Sequence, residues 1–547
     1  MRARAGWVIA AVVPLAFLAV FFAYPVAALL ARGLFPQGSV SLDGFASVLA
    51  APRTARVVAT TLAQATAGTV VSLVLGLPCA WVLYRTRFPG RAVVRGIVTI
   101  PFVLPSVVVG VAFASLVIPT GPLGFLGLQG SFPVVVAALA FFNIAVVVRT
   151  VGGMWAGLDP RPAQVAAALG ASPARVLRTV TLPALAPAIA SAAALVFLFC
   201  ASAYGVVMVL GGPRYGTIET EIWFLTTNLL DLTSAAALSI IQLLVVTACL
   251  MVTSRLQTRL GHAQRLRTDE GVVPRWRAAR DGWATVIVAL VVVLVTVPIG
   301  NLVVRSLRTA GGWGLDNYAA LFGMGSGVRL AAPVGDALGN SLRTALAATA
   351  LALVLGLLVG LVVSRRPRSR SGQAGLRVLD AVFMLPLGVS AVTVGFGYLI
   401  ALNRPPLDLR SSMILVPIAQ ALVALPLVVR VVLPVLRAID PRLREAAAVL
   451  GAPPLRVLAT VDLPLAGRAL GLATGFAFAT SLGEFGATSF LARPDAPTLP
   501  VVVFRLIGRP GWENQGTGMA AAVLLAVLTA AVMALAERLR PPEVTAW

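Results

Sequence analysis

Residues 440–466 read DPRLREAAAVLGAPPLRVLATVDLPLA, and residues 159–185 read DPRPAQVAAALGASPARVLRTVTLPAL. The two align without a gap and share 16 of 27 positions. The match continues at the same offset: Tyr204-Gly205 meets Phe485-Gly486, Pro213 meets Pro494 and Thr217 meets Thr498. Weaker echoes come earlier, SLDGF at 41–45 against GLDNY at 314–318 and VLGL at 74–77 against VLGL at 354–357. A gapless match of this length, with echoes at nearby offsets before it, marks an ancestral unit copied once.

The unit is a set of membrane spans. Of the 547 residues 59% are hydrophobic and 12% charged, about half the charge of a soluble domain. The apolar residues come in runs, and a run of about 20 crosses the hydrocarbon core as a helix. Six runs lie near 7–32, 58–84, 94–118, 132–157, 187–210 and 232–254, and six more near 282–305, 340–364, 378–402, 412–437, 468–491 and 516–537. The expected fold is an all-α integral membrane protein of twelve transmembrane helices, arranged as two six-helix repeats. Six is even, so both copies enter the membrane the same way and form parallel repeats. The expected division is a first half at 1–254, a cytoplasmic linker at 255–281 and a second half at 282–547.

The net charge of +23 does not point to nucleic acid. All 43 basic residues are Arg, and they gather in short loops between apolar runs, as cytoplasmic loops do under the positive-inside rule. Arg85, Arg87, Arg91 and Arg95, the linker set from Arg255 to Arg280, and Arg365 to Arg377 all fall inside if both termini are cytoplasmic. The expected location is thus the cytoplasmic (inner) membrane, multi-pass. Cys79, Cys200 and Cys249 all sit within apolar runs at spacings that fit no metal site or disulfide framework. The first apolar stretch is too long for a signal peptide and reads as the first span.

The duplicated loop carries the mechanism. Its second copy has Glu445-Ala446-Ala447 and Gly451, then Leu463-Pro464; its first has Gln164, Ala166, Ala167 and Gly170, then Leu182-Pro183. Small Ala side chains let another surface approach, and the Gly ends a short helix because it tolerates backbone angles that other residues resist. A second short helix, ending before the Leu-Pro, would complete a rigid knob. In these residues the chain resembles the permease subunits of binding-protein-dependent ABC importers, over essentially its whole length. The resemblance implies the type I importer permease fold. It also implies two copies of an ABC ATPase at the cytoplasmic loops, ATP and Mg on that partner, and a substrate-binding protein at the outer face. Gln164 and Val165 depart from the family pattern, so the two loops are expected to couple unequally.

The chain lacks Lys, so it cannot supply the phosphate-binding lysine of a G-x-x-x-x-G-K-[ST] loop. It is therefore expected not to be an enzyme, and to bind no cofactor or metal of its own. Glu484, in SLGEFGATSF, and the matched aromatics Tyr204 and Phe485 are candidates for the substrate path, because ionisable groups inside spans are functional by default. Gln64, Asn143, Gln242 and Gln420 read as bonds between helices. VLGGPRYGTIETEIW and the following LDLTSAAALSIIQ resemble the thiamine and ferric-iron importer permeases, with thiamine ahead; oxyanion, phosphonate and polyamine importers share the fold. Glu219 and Glu221 read as outer-loop charges, facing either a cationic cargo or Arg on the docking protein. A twelve-span secondary transporter would share the helix count but has no use for paired elbow loops.

Overall fold

The computed structural model describes residues 2–34, 43–212, 215–260, 275–309, 311–323, 333–364, 370–403, 408–409 and 412–539. Pro213, Arg214, linker residues 261–274 and the Arg365, Arg366 and Arg368 cluster lie outside the described residues.

Among the described residues ten helices are long and apolar enough to cross a membrane, from Ala10–Leu34 to Trp512–Glu537. Two of the twelve expected spans are not among them. The third is the pair Arg91–Val103 and Ser106–Val117, bent by 107°. The ninth divides into Arg370–Met384 and the shorter Ala391–Ala401. Both breaks follow from proline. Pro101 and Pro105 lack the N–H a continuous helix needs, and Leu104, ahead of Pro105, is extended at φ −70°, ψ 140°. In the second copy Pro386 opens a 3₁₀ turn, and the Ser390 hydroxyl then caps the next helix by accepting the Val392 N–H at 3.1 Å.

The repeat also governs packing. In each half the second span lies against the fourth, Pro52–Arg85 on Phe132–Ala156 and Val334–Val363 on Leu415–Ala438. The VLGL echo marks the closest approach. A β-carbon at Gly76 would come within 2.7 Å of Val147, and one at Gly356 within 2.6 Å of Val428. Val147 and Val428 are themselves matched at the offset of the elbow repeat. Small residues bring helices together in a membrane, where no hydrophobic force does so. We expect Gly76→Leu to destabilise the detergent-purified protein by about 1–3 kcal/mol or more, read as a lower melting temperature. Gly96→Leu, whose β-carbon meets nothing within 4 Å, should leave it unchanged.

The halves exchange their first spans. Leu18 and Phe22 are buried with Val359, Phe383 and Tyr398 of the second half, and the Phe21 and Tyr398 rings meet at 6.5 Å. In return Ala284, Val288, Val291 and Val295 of the seventh span join the core formed by Val82, Phe113 and Val147. Asn301 donates to the Ser115 hydroxyl at 2.7 Å, and Trp81 Nε1 donates to Asp281 at 3.2 Å. The end of the linker is docked too: the Trp276 N–H donates to the Arg87 carbonyl at 3.1 Å.

Candidate functional site

The two elbows are built alike. Asp159 and Asp440 begin them, each accepting the N–H two residues on, at 3.0 Å from Arg161 and 2.9 Å from Arg442. Short helices follow at Arg161–Ala168 and Pro441–Val449. They end at Gly170 and Gly451, with φ of +84° and +81°. In the first elbow Gly170 N–H donates to the Ala167 carbonyl and Ala171 N–H to the Ala166 carbonyl. In the second, Gly451 donates to Ala448 and Ala452 to Ala447. This paired closure of the last free carbonyls is the Schellman cap, which needs a left-handed residue.

The segment after the glycine differs from the sequence reading. Pro173–Val176 and Pro454–Val457 do not end before Leu-Pro. Each passes through a π turn, Leu177–Thr181 or Leu458–Asp462, directly into the fifth or eleventh membrane helix. Pro183 and Pro464 stand at the second position of those helices. A widened turn just before a proline relieves its missing donor and its ring clash. The elbow is therefore continuous with the helix that leads to the centre of the protein.

Neither short helix has a buried residue. Gln164, Ala167, Glu445 and Ala446 are exposed, and Ala166 and Ala447 are half-buried. Large apolar side chains stand out at the tips: Leu169 is 83% exposed, and Val449 and Leu450 are each 87% exposed. One difference was not read from the sequence. Arg444 Nε meets Asp462 Oδ1 at 2.6 Å, with side-chain exposures of 13% and 2%, and Arg444 also donates to the Leu436 carbonyl at 3.2 Å. The first elbow has Ala163 and Thr181 at these places.

A second constellation lies where the halves meet. Tyr204 and Phe485, matched by the repeat, stack with centroids 5.2 Å apart. Trp223 and Phe504 are matched by the same offset and meet edge-on at 6.3 Å, while Phe485 and Phe504 lie 5.4 Å apart. A residue touching its own repeat mate must sit at the axis relating the copies. Trp223 and Phe504 ride on short helices, Ile218–Thr227 and Leu499–Ile507. Each helix start is pinned by a hydroxyl of its own half: Ile218 N–H donates to Thr61 at 3.0 Å and Leu499 N–H to Ser341 at 2.7 Å. The Tyr204 hydroxyl donates to Ser489 at 3.2 Å.

The acidic residues differ from their reading. Glu484 is not open to solvent. It is 7% exposed and accepts the N–H of Ala487 at 2.8 Å, the N–H of Thr488 at 3.0 Å and the Thr488 hydroxyl. It closes the start of the short helix Thr488–Leu491. Glu221 is no docking charge either, for it pairs with Arg53 of this chain at 2.6 Å. Glu219 is 1% exposed and takes hydrogen bonds from Gln242 at 2.9 Å and from Ser390 across the interface. Gln64 does bond between helices, donating to the Cys200 carbonyl and accepting from Tyr215. Among the described residues no group of three His, Cys, Asp or Glu is placed to hold a metal ion.

Two exchanged six-segment halves, each with a capped elbow and an axial aromatic pair, define a duplicated transport permease. The family of binding-protein-dependent transport system inner membrane components matches residues 68–266 and 352–541, and the chain belongs to it. It is the permease of an ABC importer, an integral membrane protein working with ATPase and binding-protein partners, and ATP hydrolysis belongs to a separate subunit. The thiamine transport system permease protein ThiP of Brucella abortus (strain 2308) is 26% identical over 497 residues, 88% of this chain and 87% of that one. A probable ABC transporter permease protein, y4fN, of Sinorhizobium fredii is 24% identical over 554 residues, 96% of this chain and 95% of that one. The sulfate transport system permease protein CysT of Salmonella typhimurium is 29% identical over 268 residues, 48% of this chain and 95% of that one.

Proposed function

We propose that this chain forms the whole membrane pathway of a thiamine importer. It sits in the inner membrane with both termini cytoplasmic, and its halves, 1–254 and 282–547, are joined by the cytoplasmic segment 255–281. One ATPase subunit engages the elbow at Gln164, Ala166, Ala167 and Gly170. A second copy engages Glu445, Ala446, Ala447 and Gly451. The substrate-binding protein docks on the outer face. The carrying observation is the duplicated elbow: capped at both ends, apolar at its exposed tip and continuous with a helix that reaches the axial aromatics. Closure of two ATPases would move the fifth and eleventh helices and part Tyr204 from Phe485. Thiamine rests on the relatives that cover most of this chain, and it suits a path that holds a carboxyl group with no ion partner among the described residues, Glu219.

Two measurements test this. In a chain freed of Cys79, Cys200 and Cys249, single cysteines at Ser172 and Pro453 should react with an impermeant maleimide only from the cytoplasmic side. Reaction from outside in sealed cells would reverse the topology. The partner binding protein, once purified, should bind thiamine or its phosphates. A partner that takes only sulfate or another oxyanion would refute the substrate and leave the importer intact.

A further inference from the structure

Glu219 stands apart from the other carboxylates on the axis. Glu484 is closed by backbone N–H groups and Glu221 by Arg53. Among the described residues Glu219 forms no ion pair; its hydrogen-bond partners are the neutral Gln242 and Ser390. Burying a carboxylate without a counter-charge is costly, and inside a membrane protein such a group marks a pathway. The second copy has Pro500 at the matching position, so the charge belongs to one half only.

The surroundings supply more than a charge. Trp223 lies four residues along the same helix, and such pairs share a face. Its Nε1 has no hydrogen-bond partner. Gln242 is 3% exposed, and while its Nε2 holds Glu219 its Oε1 is unpartnered. Tyr204 is within electrostatic reach of Glu219 and stacks on Phe485. One uncompensated carboxylate, one free acceptor, one free donor and four ring faces thus converge on the axis. Ring faces attract cations, most strongly when water is excluded.

We propose that, as the halves part at the Tyr204–Phe485 stack, Glu219, Gln242 and the rings of Tyr204, Trp223, Phe485 and Phe504 form a transient site for a flat heteroaromatic cation on its way inward. The site rests on the thiamine reading above and places one cargo-recognition point in the permease itself, on the first half. In the closed arrangement Ser390 of the opposite half occupies the carboxylate. Its departure would free Glu219 as the rings separate.

The test uses the permease assembled with its ATPase in proteoliposomes, with its binding protein and radiolabelled thiamine. The quantity read is thiamine imported per ATP hydrolysed. Losing a charge-assisted contact should lower that ratio about tenfold or more in Glu219→Gln, while the binding protein still stimulates ATP hydrolysis. Glu219→Asp should retain most of it. An unchanged ratio in Glu219→Gln, with wild type importing thiamine, overturns the site and leaves the thiamine reading standing. So does a rise in ATP hydrolysis without binding protein at an unchanged ratio, which would make Glu219 only a latch. If Glu219→Gln fails to assemble, the wild-type complex held with ATP and vanadate and stripped of binding protein decides. Saturable retention of one labelled thiamine per complex supports the site, and no retention overturns it. A wild type importing sulfate and no thiamine overturns both readings.

Discussion

Gly451→Val is expected to reduce ATP-driven uptake to background while the chain still inserts in the membrane. Gly451 has φ +81°, and its N–H and that of Ala452 close the carbonyls of Ala448 and Ala447. A β-carbon in the left-handed region costs about 1–2 kcal/mol, and a β-branched one is a pronounced outlier there. Space is not the obstacle, since a β-carbon would meet nothing within 4 Å; backbone conformation alone forbids it. A helix as short as Pro441–Val449 has little stability to spare in isolation, so losing its cap reshapes the tip that meets the ATPase. The permease purified in complex with its ATPase should then show no stimulation of ATP hydrolysis by the binding protein. Gly170→Val should act in the same direction. Glu445→Ala is expected to cost more uptake than Gln164→Ala, because only Glu445 brings a charge to its exposed elbow. Uptake at the wild-type rate in Gly451→Val would sink the elbow as the coupling element.

Arg444→Met should be nearly as damaging, by another route. It leaves Asp462 buried with its ion partner gone, at about 3–5 kcal/mol, and cuts the tie from the elbow to the Leu436 carbonyl at the end of the tenth span. The double change Arg444→Ala with Asp462→Thr should recover most of the loss. It copies the Ala163 and Thr181 that the first elbow already uses, and a buried pair is often worth little against a neutral replacement. Melting of the purified complex and uptake should both follow this order: wild type, double variant, single variant. Equal damage in single and double variants would show that the pair matters for reach rather than for balancing charge.

Much of this was legible in the residues themselves. Span positions followed from apolar runs, and the two elbows from a 27-residue match with Gly and Pro at fixed places. The VLGL echo was legible only as a repeat; its meaning, a valine against each glycine, is visible in three dimensions. The breaks in the third and ninth spans were signalled by Pro101, Pro105 and Pro386. A hydropathy reading averages over them, because a bent apolar segment is as apolar as a straight one. Glu484 shows a related limit. Hydropathy notes its charge, but its satisfaction by the N–H groups of Ala487 and Thr488 depends on the chain turning there. The pairings of Glu219 and Arg444 could not be read, since the partners lie 23 and 18 residues away on separate elements whose approach no local pattern encodes.

The exchange of first spans changes what counts as a moving part. Leu18 and Phe22 travel with the second half's core, and Val288 and Val295 with the first's. If the axial rings part during import, the bodies that separate are each assembled from both halves of the chain. Two fluorophores on the first and second spans, neighbours in sequence, would sit on opposite bodies and report the stroke. Two on the first and eighth spans, more than 300 residues apart in the chain, would ride together and report nothing. A covalent cut in the linker would leave two fragments still clasped around one another, so the peptide bond there sets stoichiometry rather than holding the machine together.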